Sequence, residues 1–287
     1  MRILVTGLNG FTGCHLKPEL EAYGHTVKGL NSNLTEPDAV STEIAELKPE
    51  AVVHLAGISY VGHGNVRELY EVNLIGTQNL LEALDKHAPD LRSILLTSSA
   101  NIYGNQIEDT LSEEIIPCPT NDYAVSKLAM EKMAQLWVDR LPLFIVRPFN
   151  YTGLGQKQQF LIPKIITHFR KQKPTIELGS LDVWREFGDV RAVVDIYRRL
   201  VELCPLGNTL NVCTGQTHSL REVISLCEKI TGHSIKIQIN PDFVRSNEVL
   251  LLRGSNNRLN KIIGEWKSFC LEETLTWMLG NEESSLA

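Results

Sequence analysis

Arg2-Ile3-Leu4-Val5-Thr6-Gly7-Leu8-Asn9-Gly10-Phe11-Thr12-Gly13 opens the chain and decides its fold class. A short apolar run rich in branched side chains reads as a buried strand, and three glycines follow it at once, ahead of a helix beginning near Phe11. Gly7 permits the tight turn. Gly10 lets the backbone approach a pyrophosphate, and Gly13 lets the helix pack closely on the strand, with its N-terminus facing the anion. A plain glycine turn is the simpler alternative.

The same pattern continues outward. Thr26 to Leu30, Ala51 to Leu55, Ser93 to Ser98 and Leu143 to Val146 are further short apolar runs separated by helix-length segments. Ala51-Val52-Val53-His54-Leu55 is apolar on both faces, as in a parallel sheet covered by helices on each side. The fold class expected is α/β: a Rossmann-type doubly wound parallel sheet with a smaller mixed α/β C-terminal substrate lobe. Residues 1–150 form the dinucleotide-binding part, with a return segment near 189–213, and residues 151–287 mainly the substrate lobe. Val66 to Lys86 and Tyr123 to Arg140 read as long helices, which either form a dimer surface or simply cover the sheet.

Composition narrows the function classes. The chain has 287 residues, is 43% hydrophobic and 22% charged, and carries a net charge of -6. Without a basic run, a nucleic-acid-binding role is not expected. No apolar stretch reaches membrane-spanning length, and an N-terminus that begins on a strand leaves no room for a signal peptide, so a cytoplasmic protein is expected. Cys14, Cys118, Cys204, Cys213, Cys227 and Cys270 lack metal-ligand spacing and read as reduced, buried packing residues. His63, His168 and His218 likewise read as surface or packing residues, so no metal is expected.

Tyr123 and Lys127 stand four apart at the start of a helix, on one face. An ammonium beside a phenol favours the phenolate, so Lys127 is expected to draw Tyr123 below its ordinary pKa of about 10. Upstream, the strand from Ser93 ends in Thr97-Ser98-Ser99-Ala100-Asn101-Ile102-Tyr103-Gly104, at the carboxyl end of the sheet where ligands of open α/β folds gather. Where an acid after the second strand would bond a ribose 2'-hydroxyl, or an arginine a 2'-phosphate, the chain has Asn31. Asn31 accepts a hydroxyl without repelling a phosphate, which points toward NADP(H) or dual use.

The phosphate loop, the hydroxyl cluster and the Tyr-x-x-x-Lys, with His54-Leu55-Ala56-Gly57, Asn73-Leu74-Ile75-Gly76-Thr77 and Arg147-Pro148-Phe149-Asn150, resemble the extended short-chain dehydrogenase/reductase superfamily along its whole length. The resemblance implies Ser99, Tyr123 and Lys127 as catalytic residues and NADP(H) or NAD(H) as cofactor. It implies a cofactor site of Gly7, Gly10, Phe11, Thr12, Gly13, Asn31, Leu55 and Ala56 with Tyr123 and Lys127. Asn73 reads as a backbone brace. In the superfamily's dehydratases an acidic pair follows the catalytic hydroxyl; here Ala100 and Asn101 stand there. An amide does not titrate usefully, which argues against dehydration and leaves carbonyl reduction or epimerisation.

Asn150 to Gln156, Gly179 to Arg191, Arg245 to Val249 and Gly254-Ser255-Asn256 look like the GDP-sugar-binding branch. That likeness implies Asn150, Arg185, Arg245 and Glu248 as substrate-binding residues, the two arginines clamping a diphosphate. Arg185 with Glu186, and Arg245 with Glu248, are alternatively simple ion pairs, and Asn150 a turn residue. Arg191 reads as lobe support. The activity implied is NAD(P)H-dependent reduction of the C4 ketone of a GDP-4-keto-6-deoxyhexose to a GDP-6-deoxyhexose of the D-rhamnose type, by a homodimer. A nucleotide-sugar 4-epimerase holding NAD, and a non-catalytic dinucleotide-binding protein, are the rivals.

Overall fold

In the computed structural model, which describes residues 1–59, 64–243 and 249–281, alternate residues of the inner strands are sorted onto two apolar faces, while the edge strand β2 buries only Val27. The strands are β1 (Arg2–Thr6), β2 (Thr26–Gly29), β3 (Ala51–His54), β4 (Ser93–Thr97) and β5 (Leu143–Pro148). Helices α1 (Phe11–Ala22), α2 (Pro37–Leu47), α3 (Val66–Tyr70), α4 (Gly76–His87) and α5 (Asp122–Ala134) separate them. Ile3, Val5, Val53, Leu95, Phe144 and Val146 pack on one face, against α1 and a later helix. Leu4, Val52, Ile94, Leu96 and Ile145 pack on the other, against α2, α4 and α5. A two-residue side-chain period with both faces covered explains why these strands read as unbroken apolar runs.

The second half adds β6 (Tyr151–Thr152), α6 (Leu161–Arg170), β7 (Thr175–Leu178), β8 (Trp184–Arg185), β9 (Gly188–Asp189) and α7 (Val190–Leu203). It continues with β10 (Thr209–Val212), β11 (His218–Ser219), α8 (Leu220–Thr231), β12 (Lys236–Ile239), β13 (Leu251–Leu252), α9 (Asn257–Ile263) and α10 (Leu271–Gly280). α7 returns to the first apolar face, and β10 joins the main sheet beside β5, giving the parallel order β10-β5-β4-β3-β1-β2. This is the doubly wound α/β class read from the sequence. α6, α8, α10 and β7 build a separate apolar cluster around Ile165, Phe169, Val223 and Leu275.

Three features differ from the sequence reading. The helix expected from Val66 to Lys86 is interrupted by a π turn over Glu71–Ile75, with Asn73 buried at its centre. A π turn admits one extra residue and turns a side chain out of the regular ladder. At its centre Asn73 accepts from the Ile58 N–H at 2.8 Å and donates to the Ile58 carbonyl at 3.2 Å and Ser126 Oγ at 3.0 Å. α5 stops at Ala134 and passes into a short 3₁₀ turn, well before Arg140. Only Cys213 and Cys227 are buried; Cys14, Cys118 and Cys270 are exposed thiols and Cys204 is half-buried. Hydrophobicity alone did not place them, because a thiol is small enough to sit at a surface without cost.

Sequence reading also missed a buried ion pair. Arg147 of β5 donates through Nε and Nη2 to both carboxylate oxygens of Glu131 on α5, at 2.9 and 2.7 Å. Its remaining nitrogen, Nη1, donates to Tyr103 Oη at 2.9 Å, and that hydroxyl donates to Asn211 Oδ1 on β10 at 2.7 Å. Arg147 is thereby held as a cation despite burial. Removing one partner strands a charge in the core, so Glu131→Ala is expected to lower folding stability by about 3–5 kcal/mol. Urea unfolding reads this directly; a loss no greater than a surface substitution would show that the pair does not hold α5 in place.

Candidate active site

The phosphate loop is tight enough that its glycines are obligatory. Gly7 has a positive φ of 70°, and a Cβ there would stand 3.0 Å from the Ala56 backbone nitrogen, so the ends of β1 and β3 meet without room for a side chain. A Cβ on Gly13 would fall 2.3 Å from the Leu8 carbonyl oxygen. Gly10 is the N-cap of α1; no side chain caps that helix, and its first turn holds no acid. The first-turn N–H groups and the positive end of the helix dipole therefore face an incoming anion without internal competition. This donor set fits the pyrophosphate of a dinucleotide.

Phe11 stacks on Tyr151 with ring centroids 5.9 Å apart, and Thr12 Oγ1 shares a 2.7 Å hydrogen bond with Tyr151 Oη. Thr12 thus ties the phosphate loop to the segment after β5. Tyr151 joins the site from a stretch whose sequence signalled a sugar-nucleotide motif, not a cofactor contact.

His54 connects the loop to the catalytic side. Thr77 Oγ1 donates its one proton to the Asn73 carbonyl at 2.8 Å, so the 2.9 Å contact with His54 Nε2 must carry an imidazole N–H. Burial, reinforced by the charge of Lys127, pushes His54 down to about 3. The ring is therefore neutral, and Nδ1 accepts from Thr6 Oγ1 at 2.8 Å, while Thr6 accepts from the Ala56 N–H at 3.0 Å. One chain of hydrogen bonds runs from Ala56 to the π turn. Leu55, next to His54, packs on the first apolar face.

Ser99, Tyr123 and Lys127 converge beyond it. Asn121 caps α5, accepting from the Ala124 N–H at 2.9 Å, which points Tyr123, Ser126, Lys127 and Glu131 inward. Lys127 Nζ donates to the Thr97 carbonyl at the end of β4, at 2.9 Å. A Cβ on Gly57 would come within 2.9 Å of Asn73 Oδ1 and 3.2 Å of Lys127 Nζ, so Gly57 keeps this corner open. Burial draws Lys127 down to about 8, against the raising pull of Glu131 one turn along.

Tyr123 behaves differently from the sequence expectation. Burial pushes its phenol up to about 12, overriding a lowering hydrogen bond with Ser99. Desolvation of the would-be phenolate decides the direction, and the Lys127 ammonium that was expected to lower it donates instead to the Thr97 carbonyl. At neutral pH the phenol accordingly carries its proton, the state a general acid needs.

Asn101 accounts for the orientation of Ser99. Its backbone N–H and side-chain amide donate to Ser99 Oγ at 3.2 and 3.1 Å. With its lone pairs engaged, the Ser99 hydroxyl is left with a proton to direct outward, toward Tyr123 or a carbonyl beside it. The residue whose type argues against dehydration chemistry thus also holds the Ser99 hydroxyl.

The expected sugar-nucleotide residues are less gathered. The Asn150 carbonyl accepts from the Gly188 N–H at 2.9 Å, joining the chain after β5 to β9. Arg185, on β8, donates to its neighbour's carbonyl at Trp184 at 2.9 Å. Glu186 is turned into the core, where its carboxylate accepts from Thr214 N and Oγ1, Gly215 N and Gly254 N at 2.6–3.1 Å. Arg191 pairs with Asp189 at 2.7 Å and lies 3.9 Å over the Trp277 ring, supporting the joint between α7 and α10. Arg245 and Glu248 lie outside the described residues, as does His63. Among the described residues no cluster of His, Cys, Asp or Glu could hold a metal, and no helix is long and apolar enough to cross a membrane.

Fold and site together define a family. The chain belongs to the NAD dependent epimerase/dehydratase family, whose model matches residues 3–213. Within it, the chain is 38% identical to GDP-6-deoxy-D-talose 4-dehydrogenase of Aggregatibacter actinomycetemcomitans, over 92% of each chain. It is 37% identical to GDP-6-deoxy-D-mannose reductase of Pseudomonas aeruginosa, over 99% of this chain and 97% of that one. The structure of RMD from Pseudomonas aeruginosa complexed with NADPH is similar with a TM-score of 0.89, at 36% identity and 99% coverage of both chains.

Asn101→Ala should lower kcat about tenfold, with KM and the unfolding midpoint little changed, because it frees the Ser99 hydroxyl to turn away from the reacting oxygen. An unchanged kcat would remove Asn101 from the site's working parts.

Proposed function

We propose that this protein reduces the C4 ketone of a GDP-4-keto-6-deoxyhexose with NAD(P)H, giving a GDP-6-deoxyhexose of the D-rhamnose type. The observation that carries the reading is the pairing of a protonated, buried Tyr123 with a Ser99 held by an amide where ring-deprotonating acids would otherwise stand. The two curated relatives, both named for oxidation or reduction of GDP-6-deoxyhexoses, support the substrate class.

When bound, the reduced nicotinamide supplies the hydride. Ser99 directs its hydroxyl at the C4 carbonyl oxygen and holds it beside Tyr123. Tyr123 gives its phenolic proton to the alkoxide forming on that oxygen. Lys127, as an ammonium, offsets the charge left on the phenol, the preorganised arrangement that such charge development needs. Gly7, Gly10, Phe11, Thr12 and Gly13 hold the dinucleotide phosphates, with Asn31 on the ribose side and Leu55 and Ala56 along the sheet edge. Asn150, Arg185, Arg245 and Glu248 take the GDP-sugar, within a lobe formed mainly by residues 151–287. The protein works in the cytoplasm on this small-molecule partner.

Replacing Tyr123 with Phe is expected to reduce turnover of GDP-4-keto-6-deoxymannose with NADH or NADPH by about a hundredfold or more; full turnover would sink the assignment. In thermal-shift assays a GDP-sugar should raise the melting temperature more than UDP- or dTDP-sugars, by selective binding to the folded state. A UDP preference would overturn the nucleotide. The pH profile follows from Lys127: below its pKa of about 8 it is an ammonium, above it a neutral amine. Activity as kcat/KM should therefore fall on the alkaline side with a midpoint near 8.

The same helices support a reading of the protein as a homodimer. Val66 on α3, Ile75 at the end of the π turn and Val125 on α5 are exposed apolar side chains on neighbouring elements. This face suits a homodimer, and sedimentation velocity at twice the chain mass is the expected result; a monomer at micromolar concentration would contradict it.

A further inference from the structure

The segment after β2 is where a doubly wound fold receives the ribose of a dinucleotide, and its donors are already engaged by a carboxylate from another element. Glu43, on the middle turn of α2, accepts from the Asn31 N–H at 2.9 Å, the Asn31 side-chain amide at 3.0 Å, the Ser32 N–H at 2.7 Å and the Ser32 hydroxyl at 2.6 Å. Burial pushes the Glu43 carboxyl up, but the hydrogen bonds from Ser32 and Asn31 outweigh it and hold the group below its usual range. It is an anion at neutral pH.

Two consequences follow from these contacts. The Asn31 amide is locked with its nitrogen on Glu43, so its carbonyl oxygen is the atom left to meet a ligand. A carbonyl oxygen accepts from a ribose 2'-hydroxyl and repels a 2'-phosphate oxygen. The N–H and O–H groups of Ser32, which would otherwise cradle a phosphate, are spent on Glu43. Charge adds to this: between Lys28 and Lys48 the sequence carries Glu36, Asp38, Glu43 and Glu46 and no further Lys or Arg. A 2'-phosphate, at about -1.5 to -2 charges, would enter a turn whose donors are already bonded to the Glu43 carboxylate.

We infer that Glu43 is the residue that sets dinucleotide choice in this protein, by occupying the donors of the β2–α2 turn and fixing Asn31 as a hydroxyl acceptor, so that the site selects NAD(H) over NADP(H). It differs from the leaning toward NADP(H) or dual use that Asn31 alone suggested, and from the NADPH held by the related RMD structure. It rests on the dinucleotide-binding reading of the loop and is independent of the sugar.

The test is equilibrium titration of the purified chain with NADH and with NADPH, followed by nicotinamide fluorescence, with no sugar nucleotide present. NADH should bind about tenfold or more tightly than NADPH, and Glu43→Gln should bring the two within about threefold, chiefly by improving NADPH. Thermal unfolding of the variant shows whether it folds. If it does not, the wild-type protein still decides: its preference for NADH should narrow from low to high salt, since the penalty on the phosphate is a screened charge effect. Equal binding of the two dinucleotides, tighter binding of NADPH, or a preference indifferent both to Glu43→Gln and to salt would overturn the inference while leaving the cofactor reading intact. Binding of neither would overturn both.

Discussion

The buried pair between Arg147 and Glu131 is the constraint on which the site depends. Two charges withdrawn from water cost several kcal/mol each, and only near-complete hydrogen bonding recovers this. Here the guanidinium is held on both forks by Glu131 and on its remaining nitrogen by Tyr103, so the cost is met only when three separate elements are in place. α5 carries Glu131 one turn beyond Lys127; the turn after β4 carries Tyr103 four residues beyond Ser99; β5 carries Arg147. The elements that bear the hydroxyl, the phenol and the ammonium are therefore locked by one charge-assisted junction. Tyr103 extends it to Asn211 on β10, which fastens the returning strand to the same point.

A second junction joins the cofactor side to the catalytic side. His54, neutral and wholly buried, bridges Thr6 at the end of β1 to Thr77 at the start of α4. Through Thr6 it reaches the backbone of Ala56, against which Gly7 packs; through Thr77 it reaches Asn73, whose amide grips Ile58 and Ser126. The phosphate loop and the corner holding Lys127 are thus set relative to each other by uncharged hydrogen bonds, each satisfied at both ends. A histidine is suited to this because its two nitrogens, one donor and one acceptor, reach opposite strands of the network.

Much of this architecture was legible in the chain. Strand runs apolar on both faces have no other stable home than a covered parallel sheet, and the glycines at 7, 10 and 13 serve only a close-approach turn. The order of hydroxyl, phenol and ammonium could be read because each sits at a strand end or on a single helix face. Less legible were groups whose roles come from distant partners. Glu131, Arg147 and Tyr103 look like ordinary charged and aromatic residues until folding brings them together. Thr12 and Tyr151 touch across 139 positions of sequence. Glu43 sits on a helix whose own pattern marks only its buried side, Val40 and Ile44.

By itself, then, the sequence determined the doubly wound sheet, the phosphate turn and the order of the candidate hydroxyl, phenol and ammonium, because side-chain period, glycine geometry and helix spacing are local properties. Tertiary structure decided the state of those residues. Whether Tyr123 is a phenol or a phenolate, which proton His54 carries and which way the amides of Asn31 and Asn101 face depend on burial and on hydrogen-bond partners supplied from elsewhere. Desolvation scales with what covers a group, and no spacing along the chain encodes that cover.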